Sequence, residues 1–193
     1  MFAYISGKIS EIFPNYLIID CQGVGYFVHI SLQTYSKLQN TQQALIYTQL
    51  IIREDAHLLY GFATKEEKEL FNLLIGISGI GPSTALIMLS SHSPDEIKQA
   101  ISTGNTSLLK SIKGIGGKTA ERIIVELKDK IGHFSKTGEK IAIVHNKNRE
   151  DALMALVGLG FNKTAADKVL SKLFAENPEL STEEAIKAAL KQL

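Results

Sequence analysis

The stretch LLKSIKGIGGKTAERIIVEL, Leu108 to Leu127, decides how this chain folds. Its Leu, Ile and Val recur at helical spacing. Yet Gly114, Gly116 and Gly117 interrupt it at the centre, where each glycine costs a helix about 1 kcal/mol relative to alanine. Two nucleotide-binding readings of these glycines fail. A phosphate loop ending in Gly117-Lys118-Thr119 requires glycine at position 112, where Ile112 stands, and such a loop follows a strand rather than a helix. A dinucleotide fingerprint, G-x-G-x-x-G, fails because Thr119 takes the third glycine's place.

The segment occurs twice. With Leu73 laid on Leu108, LLIGISGIGPSTALIML falls without a gap on LLKSIKGIGGKTAERII. Leu73, Leu74, Ile77, Gly79, Ile80, Gly81, Thr84 and Ala85 then meet identical residues, which makes this an internal repeat. Each copy reads as a helix, a Gly-Ile-Gly hairpin and a second helix. The paired glycines permit positive φ and close backbone approach, so the chain reverses within a few residues. Ile80 and Ile115 are expected to plug between the helices. Each second helix starts with unpaired N–H groups at its positive dipole end, a site that a phosphate satisfies without any base being read. Thr84 and Thr119 add hydroxyls there, and Lys118 adds a charge. A helix–glycine–helix turn can merely connect packed helices, but two copies with one glycine, threonine and alanine spacing favour the ligand-facing reading. Two copies also suit the two strands of a duplex.

Outward from the repeat, the chain changes character at position 64. Residues 1–63 read as β, with strand-like runs FAYISGKISEI, YLIIDC, GYFVHI, ALIYTQLII and HLLYGF and a short helix, LQTYSKL. Pro14-Asn15 and Gly23-Val24-Gly25 punctuate them as turns. Five strands and one helix suggest a barrel of oligonucleotide-binding type, with a small open sheet fitting almost as well. Residues 64–132 read as helices, opened by capping boxes at Thr64-Lys65-Glu66-Glu67 and Ser93-Pro94-Asp95-Glu96. Residues 133–148 form the expected linker, whose Ile141-Ala142-Ile143-Val144 patch is apolar enough to pack somewhere. Residues 149–193 read as a three-helix bundle, its last helix capped by Ser181-Thr182-Glu183-Glu184. Asn105 and Asn162 match glycosylation patterns but read better as helix caps.

Composition bounds the function. A net charge of +1 announces no global nucleic-acid affinity. Locally, Lys110, Lys113 and Lys118 lie in a stretch without acids, with Arg122 one turn beyond. No run approaches the ~18 apolar residues of a membrane span, and Lys8 and Glu11 interrupt any secretory signal. The single cysteine, Cys21, suits a reducing cytosol and reads as a small buried residue.

GIGPSTA and GIGGKTAERIIVELKDK resemble the helix-hairpin-helix pair of the RuvA family, DNA-binding subunits of the bacterial Holliday junction branch-migration complex. VGYFVHI, REDAHLLYGFATKEEKELF and the three-helix tail are similar to that family in order and spacing, nearly along the whole chain. The resemblance implies a multidomain α+β fold: an oligonucleotide-binding barrel, a tandem helix-hairpin-helix domain and a C-terminal bundle like ubiquitin-associated domains. It implies sequence-independent binding of four-way junctions in the bacterial cytoplasm, in recombination, repair and the SOS response to DNA damage. It assigns phosphate contacts to Gly79, Gly81, Ser83 and Thr84, and to Gly114, Gly116, Gly117, Lys118, Thr119 and Arg122. Family members commonly have lysine where Ser83 and Gly117 stand, which implies fewer cationic contacts and a shallower salt dependence here, each neutralised phosphate contributing roughly −0.9 to the slope. It makes Glu54 and Asp55, at an otherwise ordinary turn, an acidic pin that repels phosphates and divides strands. It gives Leu159, Gly160 and Phe161 a contact with the hexameric ATPase RuvB, where ATP is hydrolysed. A homotetramer, RuvC resolvase in the same complex and no cofactor, metal or membrane are the remaining implications.

The rival from another class is a helix-hairpin-helix glycosylase or nuclease. Base-excision members carry a catalytic aspartate roughly 20 residues past the hairpin, because the sugar chemistry needs a carboxylate. Ala100, Ile101 and Lys136 occupy those positions. His29, His57, His92, His133 and His145 are scattered without ligand spacing, and Gly76-Ile77-Ser78-Gly79 lacks the nucleophile-elbow geometry. A second rival is an adaptor whose barrel binds single strands on exposed aromatics; Phe2, Tyr4, Tyr26 and Phe27 serve equally well as core.

Overall fold

Alternation of apolar and polar residues builds the N-terminal sheet of this computed structural model, which describes residues 2–132 and 143–193. The strands are β1 (Tyr4–Phe13), β2 (Tyr16–Cys21), β3 (Val24–Ile30), β4 (Gln43–Ile52) and β5 (His57–Phe62), and helix α1 (Leu32–Leu38) links β3 to β4. They close into a barrel in the order β1-β2-β3-β5-β4. The closing contact is parallel, His29 beside Tyr60 and Ile30 beside Gly61; every other pairing is antiparallel. A side chain at Gly61 would collide with Val28 and Ile46, so only glycine lets the barrel shut there. A register shift between Ile9 and Glu11 bends β1, letting it pair with β4 at one end and β2 at the other. Ile5, Leu17, Ile19, Val28, Ile30, Leu38, Ile46 and Leu59 fill the interior.

Three expectations change here. The second turn is Gln22-Gly23, not Gly23-Val24-Gly25, because these two residues have the consecutive positive φ angles, 56° and 93°, of a tight primed hairpin. Gly25 lies inside β3. Cys21 is only half-buried at the end of β2, where its thiol donates to the Ser6 carbonyl at 3.3 Å. Phe2, Tyr4 and Phe27 are exposed rather than core: Phe2 precedes β1, and Tyr4 and Phe27 lie off the inward register of their strands.

Glycine and capping signals cut the following sequence into α2 (Lys65–Ile75), α3 (Pro82–Ser91), α4 (Pro94–Thr103), α5 (Thr106–Ser111) and α6 (Gly117–Gly132). Ser93 and Glu96 form the expected reciprocal box, and Asn105 caps α5. At Thr64 only half of the expected box exists. Thr64 accepts the Glu67 amide, but the Glu67 side chain turns inward and is fully buried. There it accepts hydrogen bonds from the hydroxyls of Ser31, the N-cap of α1, and of Thr34 within that helix, the latter at 2.8 Å. Thr34 in turn accepts the Ala63 amide at 3.0 Å. Burial pushes the Glu67 carboxyl above its ordinary range, against the pull of those hydroxyls and of Lys37.

One apolar cluster runs from Tyr60 and Phe62 of β5 through α2 to α6. Strand β5 is therefore covered on both faces, which explains its unbroken apolar run. Residues Met1–Ser135 accordingly form one compact unit, and Lys136–Leu193 form a second.

The second unit holds α7 (Ile143–Gly158), α8 (Lys163–Glu176) and α9 (Thr182–Ala189) around Ala152, Leu156, Ala166, Leu170, Ala185 and Ala189. Helix starts at Asn162 and at the Ser181–Glu184 box are capped as expected. Helix α7 begins within the stretch expected to be linker. The side chains of the Ile141–Val144 patch lie outside the described residues.

Candidate nucleic-acid interface

The internal repeat is a repeat in three dimensions. Residues 77–85 and 112–120 share one pattern of burial and exposure, position by position. Hydrogen bonds repeat as well. Ile80 donates to Ile77 at 3.0 Å and Ile115 to Ile112 at 3.1 Å; Ala85 donates to Gly81 at 3.0 Å and Ala120 to Gly116 at 2.9 Å. Ile80 and Ile115 are buried plugs between their helices, as their position in the hairpins suggested.

The two glycines of each hairpin do different things. Gly79 and Gly114 have φ of 93° and 92°, the left-handed region that reverses the chain. Gly81 does not: its φ of −85° and ψ of 169° are open to any residue. A side chain at Gly81 or Gly116 would meet nothing within 4 Å. Neither packing nor backbone geometry requires glycine at these two places. What glycine leaves there is open space over the start of a helix.

That start is undressed. No side chain caps α3, and Pro82 occupies its first turn without an N–H of its own. The amides of Ser83 and Thr84, and of Gly117, Lys118 and Thr119 on α6, belong to helix first turns that lack intrahelical acceptors. Together with the dipole they favour an anion. Ser83, Lys113 and Lys118 are exposed, and Thr84 and Thr119 half-exposed. The cations gather on the second hairpin, since Ser78 and Ser83 stand in the first where Lys113 and Lys118 stand in the second. Lys110 borders Gly117, where an added Cβ would lie 3.4 Å from its Cε.

The hairpins are tied to each other. Arg122 of α6 donates through Nη1 to the Ser78 carbonyl at 3.0 Å, a second role beside the expected phosphate contact. A Cβ at Gly114 would lie 3.9 Å from the Thr84 methyl. The two amide clusters therefore sit side by side on one scaffold.

Glu54 and Asp55 occupy the tip of the β4–β5 hairpin, where Ile52 pairs with His57 and the Arg53 amide donates to Ala56 at 2.8 Å. Both are exposed, and among the described residues neither carboxylate has a hydrogen-bond or ion-pair partner. In the second unit, Gly160 has a φ of 97° and ends α7. Its amide donates to Val157 and that of Phe161 to Leu156, the paired bonds of a Schellman cap. The cap turns Phe161 against the bundle core and leaves Leu159 exposed, as Met154 and Val157 also are. Among the described residues no three His, Cys, Asp or Glu side chains converge as metal ligands, and no helix is long and apolar enough to cross a membrane.

A closed oligonucleotide-binding-type barrel carrying twin helix-hairpin-helix motifs with open glycines defines a class of nucleic-acid-binding architecture. Comparison with known proteins narrows it. Residues 1–61 match the family model described as RuvA N terminal domain, residues 71–129 the SAM-like helix-hairpin-helix tandem, and residues 147–193 the RuvA, C-terminal domain. The chain belongs to the RuvA family. It is 48% identical to the protein of Flavobacterium psychrophilum, 45% to that of Christiangramia forsetii and 46% to that of Bacteroides fragilis, each over 100% of both chains. All three are named Holliday junction branch migration complex subunit RuvA.

Proposed function

We propose that this chain binds four-way DNA junctions without reading sequence, holds them open, and recruits a hexameric ATPase for branch migration. The observation that carries this reading is the pair of hairpins whose glycines face open space above bare helix amides. Phosphates of the duplex arms occupy those amides, helped by Lys118 and Thr119 on one side and Ser83 and Thr84 on the other. Arg122 fixes the separation of the two sites. Because phosphates look alike at every base pair, such contacts let DNA slide through, as migration requires. Glu54 and Asp55 form the pin. Carboxylates beside phosphates are repelled, so the tip keeps strands apart at the crossover.

Four copies form a plate around the junction, and the subunit itself catalyses nothing. Leu159, Gly160 and Phe161 contact the RuvB motor, in which ATP is hydrolysed, and RuvC resolvase joins the same assembly in the bacterial cytoplasm. The glycosylase or nuclease alternative is not favoured, since Ala100 and Ile101 stand where a catalytic aspartate is required.

Gel-shift titrations with four-way, forked and linear DNA at two salt concentrations test the reading. A strong preference for the four-way form is expected, with log K falling by roughly 0.9 per phosphate neutralised. Glu54→Gln with Asp55→Gln is expected to bind as well or tighter while losing junction discrimination or migration rate. Weaker binding with unchanged discrimination would remove the pin from the mechanism, and strand cleavage by the purified chain would reinstate the enzyme.

A further inference from the structure

A row of rings crosses the outer face of β1, β2 and β3. Phe13 and Tyr16 stack with centroids 4.9 Å apart and 22° between planes. Tyr16 and Phe27 stack at 4.7 Å and 20°. Phe27 meets His29 edge-on at 5.1 Å, and His29 lies 5.4 Å from Tyr60. Phe13 and Phe27 are 47% and 49% exposed, so the row is not core.

Its two ends differ. At one end Tyr60 is buried against Phe71, and Ser83 in the first turn of α3 lies near enough to its hydroxyl to oppose the rise that burial gives the phenol. The row thus begins against α2, the helix that leads into the first hairpin. At the other end Phe13 closes it. Strand β1 pairs with β4 only from Tyr4 to Lys8, so no strand flanks Phe13 on the side away from β2. Among the described residues no ring but Tyr16 stacks on Phe13, whose side chain is nearly half exposed.

A column of stacked rings offers edges along its length and a π-face only at its end. A nucleobase extends such a column whatever its identity, because every base has a flat face. In barrels of this type oligonucleotides lie on the β2–β3 face and the loops joining β1 to β2 and β4 to β5. Here Phe13 and Tyr16 flank the first of those loops, and the second carries Glu54 and Asp55. Exposed Glu11, on the same strand, disfavours a phosphate at this end and leaves the base as the fitting group.

We propose that the outer face of Phe13 is a single-strand site, stacking one unpaired base from a strand separated at the acidic hairpin tip. This rests on the junction-holding reading for the source of the strand. The ring contacts run from Phe13 to Tyr60 and Phe71, beneath the helices of the first hairpin, and that continuity with the proposed phosphate site favours DNA over a second protein copy as the occupant.

The test titrates the full chain with a short oligothymidylate carrying one 2-aminopurine, whose fluorescence falls when it stacks on a ring. Quenching is expected with the native chain. Phe13→Leu keeps apolar volume but offers no ring, so it is expected to abolish quenching and weaken oligothymidylate binding about tenfold. Linear-duplex affinity and light-scattering mass are expected to stay unchanged. Phe27→Leu, which breaks the column two rings further in, is expected to give an intermediate loss. No quenching by the native chain, or equal quenching by Phe13→Leu, would overturn the proposal. So would a changed mass for Phe13→Leu, which would assign the face to another copy of the chain. Loss of four-way preference with quenching intact would instead sink the junction reading and leave the base site standing.

Discussion

At the scale of the residue, one letter stands for two physical jobs. Gly79 and Gly114 hold a left-handed backbone, whereas at Gly81 and Gly116 a side chain would meet only open space, which the proposed phosphate contact uses. The repeat made all four visible in the sequence, but a one-letter code does not separate a required φ from required space. The distinction yields a test in which stability and binding move oppositely. Gly81→Ser fits its φ of −85° and ψ of 169°, and the new hydroxyl caps the first turn of α3. It is expected to stabilise the fold by a few tenths of a kcal/mol, since serine caps better than glycine. Duplex affinity is expected to fall, because the hydroxyl takes an amide that a phosphate would use. Urea unfolding alongside a gel shift checks both; a stabler variant with undiminished binding would exclude that amide from the interface.

Among elements, the informative contact is the one the sequence concealed. Thr64-x-x-Glu67 has the letters of a capping box, and two other helix starts of that kind, at Ser93 and Ser181, form the box as their residues suggested. Those sites are exposed, so local chemistry decides them. Glu67 lies beneath α1, and a long-range pairing with Ser31 and Thr34 outcompetes the local bond; no window of sequence spans that distance. The carboxyl is raised by burial above the roughly 4.3 of an unfolded glutamate. A raised carboxyl contributes stability that is full below the unfolded value and lost as pH rises through the folded one. Glu67→Gln removes that titration, so its stability relative to the native chain is expected to improve as pH climbs from about 4 toward neutrality. Glu67→Ala is expected to cost about 1–3 kcal/mol for each hydroxyl it strands. Unfolding midpoints of the three proteins across pH check the sign, and parallel curves for native and Gln forms would refute it.

For the whole molecule, the fold class was legible because hydrophobic period changes from two to helical at position 64. The division into pieces was less so. Barrel and hairpins share the cluster running from Tyr60 to Ile131, while the C-terminal bundle keeps a core of its own. Removing residues 149–193 is therefore expected to leave junction affinity unchanged within about twofold while abolishing stimulation of the motor ATPase. Gel shift and ATP turnover measured on the same truncated chain check this, and lost affinity would bring the bundle into the DNA interface. The double duty of β5 has a mechanical corollary. Its outer side is the floor on which the first hairpin helix rests, and its upstream end rises into the acidic tip. On the proposed reading, torque that translocating DNA exerts on that tip would pass along a single strand into the hairpins proposed to hold the arms, so separating strands and holding them need not be two motions.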